Sequence, residues 1–224
     1  MEAPYLIAYR SGNVVHSVRS DGTDEQVLLD VHAQAPLYLV SQEVGADTWG
    51  SPSSDGSQLA LVLSNVEDRT SLAKGEEPVY GIYVFDLATK QLRPLVEEGV
   101  EPVWSPDDTR IAYRSTRTSG LWIVDVASGE RSEIYPVDRQ NEHVAINFDW
   151  SPDGRQLILV DNVFRQSSTM VVVAADGSGF TPVVLSPNDA ELFFPQWSPN
   201  GDKILYSSLR VKVRGRTIHT TCGS

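Results

Sequence analysis

The sequence predicts an all-β fold, a β-propeller of four-stranded blades, and three observations carry this prediction. A tryptophan-led motif of the Trp-Ser-Pro-Asp-Gly type recurs four times, and its copies begin 55, 46 and 47 residues apart. An apolar run follows each copy, and a second apolar run then ends in another turn signal. A fourth short segment completes each unit. A period in the forties with several short strands per unit is typical of propeller blades.

The motif explains the first turn of each blade. Proline presets φ at the second position of a type I turn, aspartate accepts local backbone hydrogen bonds, and glycine tolerates the final conformation. The leading tryptophan is a large apolar plate suited to wedging between adjacent sheets. The predicted motif residues are Trp49, Pro52, Asp55 and Gly56; Trp104, Pro106 and Asp107; Trp150, Pro152, Asp153 and Gly154; and Trp197, Pro199, Asn200 and Gly201.

The remaining strands follow from repeated apolar runs. After the turn, runs such as Leu157-Ile158-Leu159-Val160 predict buried strands. The next run is similar at 81–87, 120–126 and 170–175, and Asp-Gly or Ser-Gly pairs near its end indicate hairpin turns. These turns lead into predicted outer strands at 25–29, 91–95, 131–135 and 181–185.

The units form one predicted domain, a propeller over residues 1–208, followed by an irregular C-terminal segment at 209–224. We expect a partial first blade at 5–30 without its innermost strand, and a partial last blade opening at 194–208. Full blades are expected at 47–97, 101–136 and 147–186. Four to five blades make an open or incomplete stack. Three interpretations remain: part of a longer propeller, two copies paired end to end, or a small closed propeller.

Charge and composition exclude some classes of protein. The net charge of −12 repels the phosphate backbone of nucleic acids, so DNA or RNA binding is not expected. Arg210, Lys212, Arg214 and Arg216 alternate along one stretch, which indicates either a solvated strand face or a binding stripe for an acidic partner. No apolar stretch approaches the length of a membrane span. Cys222 is the only cysteine, so no intrachain disulfide is expected.

The Trp-Ser-Pro-Asp-Gly pattern followed by an Ile-Ala-Tyr strand resembles the WD40-like PD40 repeat of the TolB propeller family, over residues 5–208. The resemblance implies a bacterial propeller that binds proteins through its rim or channel, without catalysis, as one part of a larger polypeptide or complex. The sequence departs from the pattern in the lengthened turn after Trp49, in Asn200 where aspartate is usual, and in the missing sixth blade. TolB is periplasmic, whereas the N-terminal residues lack a secretory signal pattern, so both the cell envelope and the cytoplasm stay open.

No pattern indicates catalysis, a cofactor or a metal. There is no Gly-x-Ser-x-Gly elbow, and Ser178 stands between two glycines at a predicted hairpin turn. Asp55, Asp107 and Asp153 lie in different blades, which favours turn formation over calcium binding. No phosphate-binding glycine-rich loop occurs. The histidines lack metal-ligand spacing; they are His16, His32, His143 and His219.

The sequence therefore predicts a non-catalytic module that binds a protein or peptide partner. The loops at 31–47, 66–78 and 138–142 are candidate docking segments, because propeller rims are where partners bind. The alternative is a propeller accessory domain of a prolyl-oligopeptidase-like serine peptidase that gates substrate access. A weaker alternative is a carbohydrate or lyase substrate in the channel. Self-association through open end blades is a further expectation.

Overall fold

The computed structural model describes residues 6–35, 39–40, 50–65, 79–137, 143–163, 167–186, 190–210 and 219–223. Within these ranges the chain forms antiparallel β-sheets and one short helix, and no described helix has the length and apolar character needed to cross a membrane. The elements are β1 (Leu6–Ser11), β2 (Val14–Arg19), β3 (Gln26–Asp30), α1 (Val31–Gln34), β4 (Leu39–Val40), β5 (Gly50–Pro52), β6 (Gln58–Ser64), β7 (Tyr80–Asp86), β8 (Leu92–Glu97), β9 (Gly99–Trp104), β10 (Arg110–Ser115), β11 (Leu121–Asp125), β12 (Arg131–Tyr135), β13 (His143–Trp150), β14 (Gln156–Val163), β15 (Ser167–Ala174), β16 (Phe180–Leu185), β17 (Ala190–Trp197), β18 (Ile204–Arg210) and β19 (His219–Gly223).

The strands assemble into five separate sheets, the blades of an incomplete β-propeller, as predicted. Blade 1 has the order β1-β2-β3, blade 3 the order β9-β10-β11-β12, blade 4 the order β13-β14-β15-β16, and blade 5 the order β17-β18-β19. In blade 2 the order is β4-β6-β7-β8, with β5 also pairing with β6. Neighbouring strands pair antiparallel within the blades, which is the meander that the repeated apolar runs predict.

The chain divides into two compact units, Met1–Glu101 and Pro102–Ser224. In the first unit, side chains of blades 1 and 2 share one core that includes Val15, Leu29 and Phe85. In the second unit, a core between blades 3 and 4 includes Trp150 and Leu157. Another core joins blades 4 and 5. Each unit is thus held by apolar packing between neighbouring sheets, the main favourable term in folding.

The two terminal blades differ in how they match the sequence analysis. Blade 1 has three described strands and starts at the strand that would be second in a full blade. Residues 209–224 were expected to be irregular, but part of that segment, His219–Gly223, is a strand that pairs with β18 from Tyr206 to Arg210. The sequence of this strand, His-Thr-Thr-Cys-Gly, has no apolar run of the kind that predicts the other strands. Cys222 lies in this strand.

Several predicted features lie outside the described residues. They are Trp49, the docking loops at 66–78 and 138–142, most of the loop at 31–47, and the basic residues Lys212, Arg214 and Arg216. The described part of the 31–47 loop contains α1, whose first turn is capped by Asp30 through the N–H of Ala33. Asp30 thereby stops β3 and turns the chain.

Candidate binding surfaces

The turn that follows the innermost strand has the same hydrogen bonds in blades 2 to 5. Each turn closes with an i to i+3 bond between a serine carbonyl and the N–H three residues later. The donor–acceptor pairs are Gly56 to Ser53 at 3.0 Å, Asp108 to Ser105 at 3.0 Å, Gly154 to Ser151 at 2.9 Å, and Gly201 to Ser198 at 2.8 Å. The last position of all four turns has a positive φ. Asp108 stands there in blade 3, where the other blades have glycine.

The turn serines, which the sequence analysis passed over, connect each turn to the next strand. Ser105 Oγ donates to Asp107 Oδ1 at 2.6 Å and accepts from the N–H of Arg110 at 3.0 Å. Ser53, Ser151 and Ser198 form the matching pairs of bonds. Ser53, Ser105 and Ser151 are buried. The signal in the sequence for this bond was a serine two residues before the aspartate or asparagine in every copy of the motif. Asn200 can replace aspartate because its side-chain oxygen also accepts from the serine.

The structure corrects the alignment of the first motif copy. In blade 2 the turn is Ser53 to Gly56, so Pro52 occupies the position just before the turn serine, where the other blades have tryptophan. Trp49 lies three residues earlier, directly before β5. Strands β4 and β5 pair in succession along the same edge of β6, and residues 41–49 separate them. The first copy therefore contains an insertion within its innermost strand, and its turn has ordinary length.

A second aspartate-bearing turn lies at the same end of each full blade. Asp86 accepts from the N–H of Thr89 at 2.7 Å, and Asp125 accepts from the N–H of Ser128 at 2.7 Å. Asp176 accepts from the N–H of Ser178, so Ser178 is a turn residue here, as predicted. The two turns of a blade are linked by backbone bonds, which run from Leu87 to Ser57, from Val126 to Thr109 and from Ala175 to Arg155.

These turns give the blade ends a persistent negative charge. Hydrogen bonds from neighbouring hydroxyls and backbone N–H groups lower the pKa of the turn aspartates below the ordinary value, because they favour the ionised form. The residues affected are Asp55, Asp86, Asp107, Asp125, Asp153 and Asp176. The predicted role of Asp55, Asp107 and Asp153 in turn formation agrees with these bonds.

The tryptophans at the blade junctions of the second unit are in different environments. Trp150 is buried, its Nε1 donates to the carbonyl oxygen of Val103 at 3.1 Å, and the guanidinium carbon of Arg110 lies 4.9 Å from the indole ring. Arg110 also donates from Nη2 to the carbonyl oxygen of Gly154 at 2.9 Å. Trp197 is only partly buried overall, and its buried Nε1 has no partner among the described residues.

The outer strand of blade 4 exposes apolar side chains. Phe180, Val183 and Leu185 are 56%, 46% and 73% exposed, and we call these three residues the β16 patch. Phe180 contacts the ring of Tyr135 edge-on at 5.1 Å. By contrast, β12 exposes Arg131, Ser132 and Glu133 at the corresponding outer position of blade 3. Strand β16 ends its sheet, and Pro182 within it fits an edge strand.

The four histidines lie on different elements. His16 in β2 stacks on Tyr9 with ring centroids 5.0 Å apart, and its Nδ1 lies 3.8 Å from Glu25 Oε1. His32 lies in α1, His143 in β13 and His219 in β19. Across the described ranges, no three His, Cys, Asp or Glu side chains are grouped so that they could hold a metal ion.

No family model and no curated protein matches the sequence. Solved propellers do match. Oligogalacturonate lyase from Vibrio parahaemolyticus gives a TM-score of 0.68 at 12% identity, over 96% of this chain and 62% of that one. TolB from Acinetobacter baumannii gives a TM-score of 0.52 at 16% identity, over 92% of this chain and 60% of that one. The β-propeller domain of the trilobed protease from Pyrococcus furiosus gives a TM-score of 0.53 at 16% identity, over 76% of this chain and 52% of that one. That domain is described as having an open velcro topology.

These identities are too low to transfer an activity, so the similarity concerns the fold. The chain spans between about half and two thirds of the length of these structures. The fold is that of an incomplete β-propeller, similar to TolB and to a peptidase propeller domain.

Proposed function

We propose that this chain is a non-catalytic propeller module of a larger bacterial protein, and that it binds a protein or peptide partner. The observation that carries the proposal is the β16 patch. An edge strand with three exposed apolar side chains is a surface that folding leaves uncovered. Such strands are also templates for pairing with another chain.

The partner's chemistry follows from the charge of the chain. With a net charge of −12 and turn aspartates held ionised, the module repels acidic partners and attracts basic ones. The expected partner segment is therefore apolar at its centre and flanked by lysine or arginine. Association should weaken as salt is added, since exposed charges are screened.

The test is a selection of displayed random peptides on the purified chain, followed by calorimetric titration of the enriched peptides. The variant Val183→Thr/Leu185→Thr places β-branched threonine, which suits a strand, at both positions and removes the two aliphatic side chains of the patch. The matched control is Val27→Thr, on the outer strand of blade 1, because Val27 is 60% exposed, a value between those of Val183 and Leu185. We expect the selection to enrich peptides that are both basic and apolar. Their affinity for the double variant should be lower than for the natural chain by about tenfold or more, and their affinity for Val27→Thr should be unchanged. Equal binding by all three proteins would contradict the proposal.

The alternative is a propeller that gates access to a serine peptidase. It is supported by the similarity of the chain to the propeller domain of the trilobed protease. The two functions differ in what the complete gene encodes. An α/β-hydrolase segment in the same polypeptide, whose peptidase activity requires this propeller, would favour the alternative. A sensory or TolB-type segment in its place would favour the binding module.

A further inference from the structure

The blade 1–blade 2 junction and the blade 3–blade 4 junction can be compared position by position. Strands β1 and β10 share the sequence Ile-Ala-Tyr-Arg-Ser, at 7–11 and 111–115. The turn at 53–56 has the same hydrogen bonds as the turn at 151–154, and Pro52 pairs with Leu59 as Trp150 pairs with Leu157. Side chains at matching positions should therefore point into equivalent space at the two junctions.

In the second unit this space is filled by two aromatic side chains. Phe148 and Trp150 pack against Ala112, Ile134 and Leu157. All five are at most 7% exposed. The two rings are therefore part of the buried core at this junction.

At the two matching positions of the first unit, both of them within the described residues, neither side chain is aromatic. Gly50 stands in the place of Phe148, and Pro52 stands in the place of Trp150. A pocket of about 330 Å³ remains there. Its lining includes the counterparts of the residues that the rings cover in the second unit, and it consists of Ala8, Leu28, Gly50, Pro52, Gly56, Gln58, Leu59 and Leu87.

Larger residues nearby reduce the loss of volume but do not close the pocket. Leu87 stands where blade 4 has Ala175, and Phe85 stands where it has Val173. At Gly50 the backbone itself prevents filling, because a Cβ atom there would lie 2.9 Å from the carbonyl oxygen of Ala60. Ala8 and Leu28 are partly exposed, unlike their buried counterparts Ala112 and Ile134.

We infer that this pocket binds an aromatic side chain, an indole above all, carried by a partner polypeptide. The walls are apolar, the volume is at the lower end of the range for ligand pockets, and the protein fills the equivalent space elsewhere with an indole and a phenyl ring. Burying such a ring removes on the order of 200 Å² of surface from water. The inference rests on the proposed binding of a peptide partner, and it adds a second anchor, in the first unit, to the β16 patch of the second unit.

The test uses the complete chain and N-acetyl-tryptophanamide as the probe, titrated by ¹H–¹⁵N NMR. We expect saturable shifts at the amides of Gly50, Gly56 and Gln58, and much weaker shifts with N-acetyl-leucinamide. Ala8→Phe should fill the pocket and weaken binding by about tenfold or more. Ile7→Phe is the matched control, because the adjacent residue of a strand faces the other way and Ile7 is already 48% exposed. It should bind the probe normally.

A second variant keeps the test decisive if Ala8→Phe fails to fold. Pro52→Trp restores the ring of the other blades, and we expect it to abolish probe binding with an unchanged or raised melting temperature. Absence of probe binding in the natural chain would overturn the inference, as would equal binding of the leucine probe. Binding that appears only in Trp49→Ala would also overturn it, because the chain's own indole would then be the occupant.

The two proposals can fail separately. If the tryptophan probe does not bind but the selected peptides still depend on Val183 and Leu185, the pocket inference is wrong and the proposed function stands. If the probe binds and no peptide is selected at all, the proposed function fails and the pocket is a site for a free aromatic molecule, which contradicts the inference as stated.

Discussion

The indole Nε1 of Trp150 donates a hydrogen bond to the carbonyl oxygen of Val103, 3.1 Å away on the innermost strand of the preceding blade. The ring therefore does two things at the junction between blades 3 and 4. It fills space in the shared core, and it satisfies a backbone carbonyl. Trp197 is the corresponding residue at the junction between blades 4 and 5, and its Nε1 has no such bond within the part of the chain that the structure describes.

Trp150→Phe and Trp197→Phe should therefore differ in their effect on stability. Phenylalanine keeps much of the apolar surface but has no N–H. In Trp150→Phe the carbonyl of Val103 loses its donor, and we expect the free energy of unfolding to fall by about 1–3 kcal/mol. In Trp197→Phe an unpaired donor disappears, which offsets the lost packing. Urea unfolding of both variants measures the difference, and equal losses would contradict this account.

Ser105→Ala tests the network that joins turn to strand. Ser105 is fully buried, and its removal leaves the N–H of Arg110 and one oxygen of Asp107 without this partner. We expect a loss of about 1–3 kcal/mol in the free energy of unfolding. Ser198→Ala is the matched control, because Ser198 makes the same bonds at a more exposed position where water can replace them. A loss at Ser198 as large as that at Ser105 would show that burial is not the cause.

The turns of this fold were predictable because their chemistry is local. Proline, aspartate and glycine at fixed spacing specify the turn after each innermost strand, and the hydrogen bonds of Ser151 and Asp153 follow that specification. The position of Trp49 was not predictable from the motif, since the register of blade 2 is set by the bond from the N–H of Ser53 to the carbonyl of Gln58. The sequence analysis aligned Trp49 with the residue before the turn, whereas the register places Pro52 at that position.

The candidate sites depend on non-local pairing, and for that reason the sequence alone did not reveal them. The pocket arises where Ala8 of β1 and Leu59 of β6 line one cavity while Gly50 and Pro52 stand in the place of two rings. The paired register identifies Pro52 as the counterpart of Trp150, and Gly50 corresponds to Phe148 because each lies two residues before that position. The sequence predicts β16 as an outer strand. The high exposure of Leu185 in this strand depends on how the blades pack, and no local sequence pattern indicates it.

Gly154→Ala tests the left-handed position that closes the turn. Gly154 has a φ of 68°, and its nearest neighbours would leave room for a Cβ atom. The expected loss of about 1–2 kcal/mol therefore comes from backbone strain and not from a clash. Gly179→Ala is the control, because Gly179 has no positive φ and nothing lies within 4 Å of its Cβ position. Thermal unfolding should show a lower melting temperature for Gly154→Ala only.

Asp149 and Asp153 should give opposite dependences of stability on pH. Burial raises the pKa of Asp149, and the N–H of Trp197, which donates to its Oδ2 at 2.8 Å, offsets part of that effect. The native state therefore holds the proton of Asp149 more tightly than the unfolded state does. As a result, the free energy of unfolding decreases as the pH rises from the unfolded pKa of about 4 to the raised native pKa. For Asp153, the bond from Ser151 and the N–H of Arg155 lower the pKa, so its ionised form stabilises the fold above about pH 4.

Replacing each carboxyl by an amide separates the two effects. Asp149→Asn keeps an oxygen that can accept from Trp197 and cannot ionise, so at neutral pH we expect it to be at least as stable as the natural chain. Its advantage should shrink as pH falls and Asp149 becomes protonated. Asp153→Asn should be less stable at neutral pH, and its deficit should shrink on acidification as the natural carboxylate is lost. Urea unfolding at a series of pH values measures both differences. If Asp149→Asn lost stability at neutral pH and kept the same deficit in acid, its carboxylate would be a stabilising acceptor and burial would not be the dominant influence on its pKa.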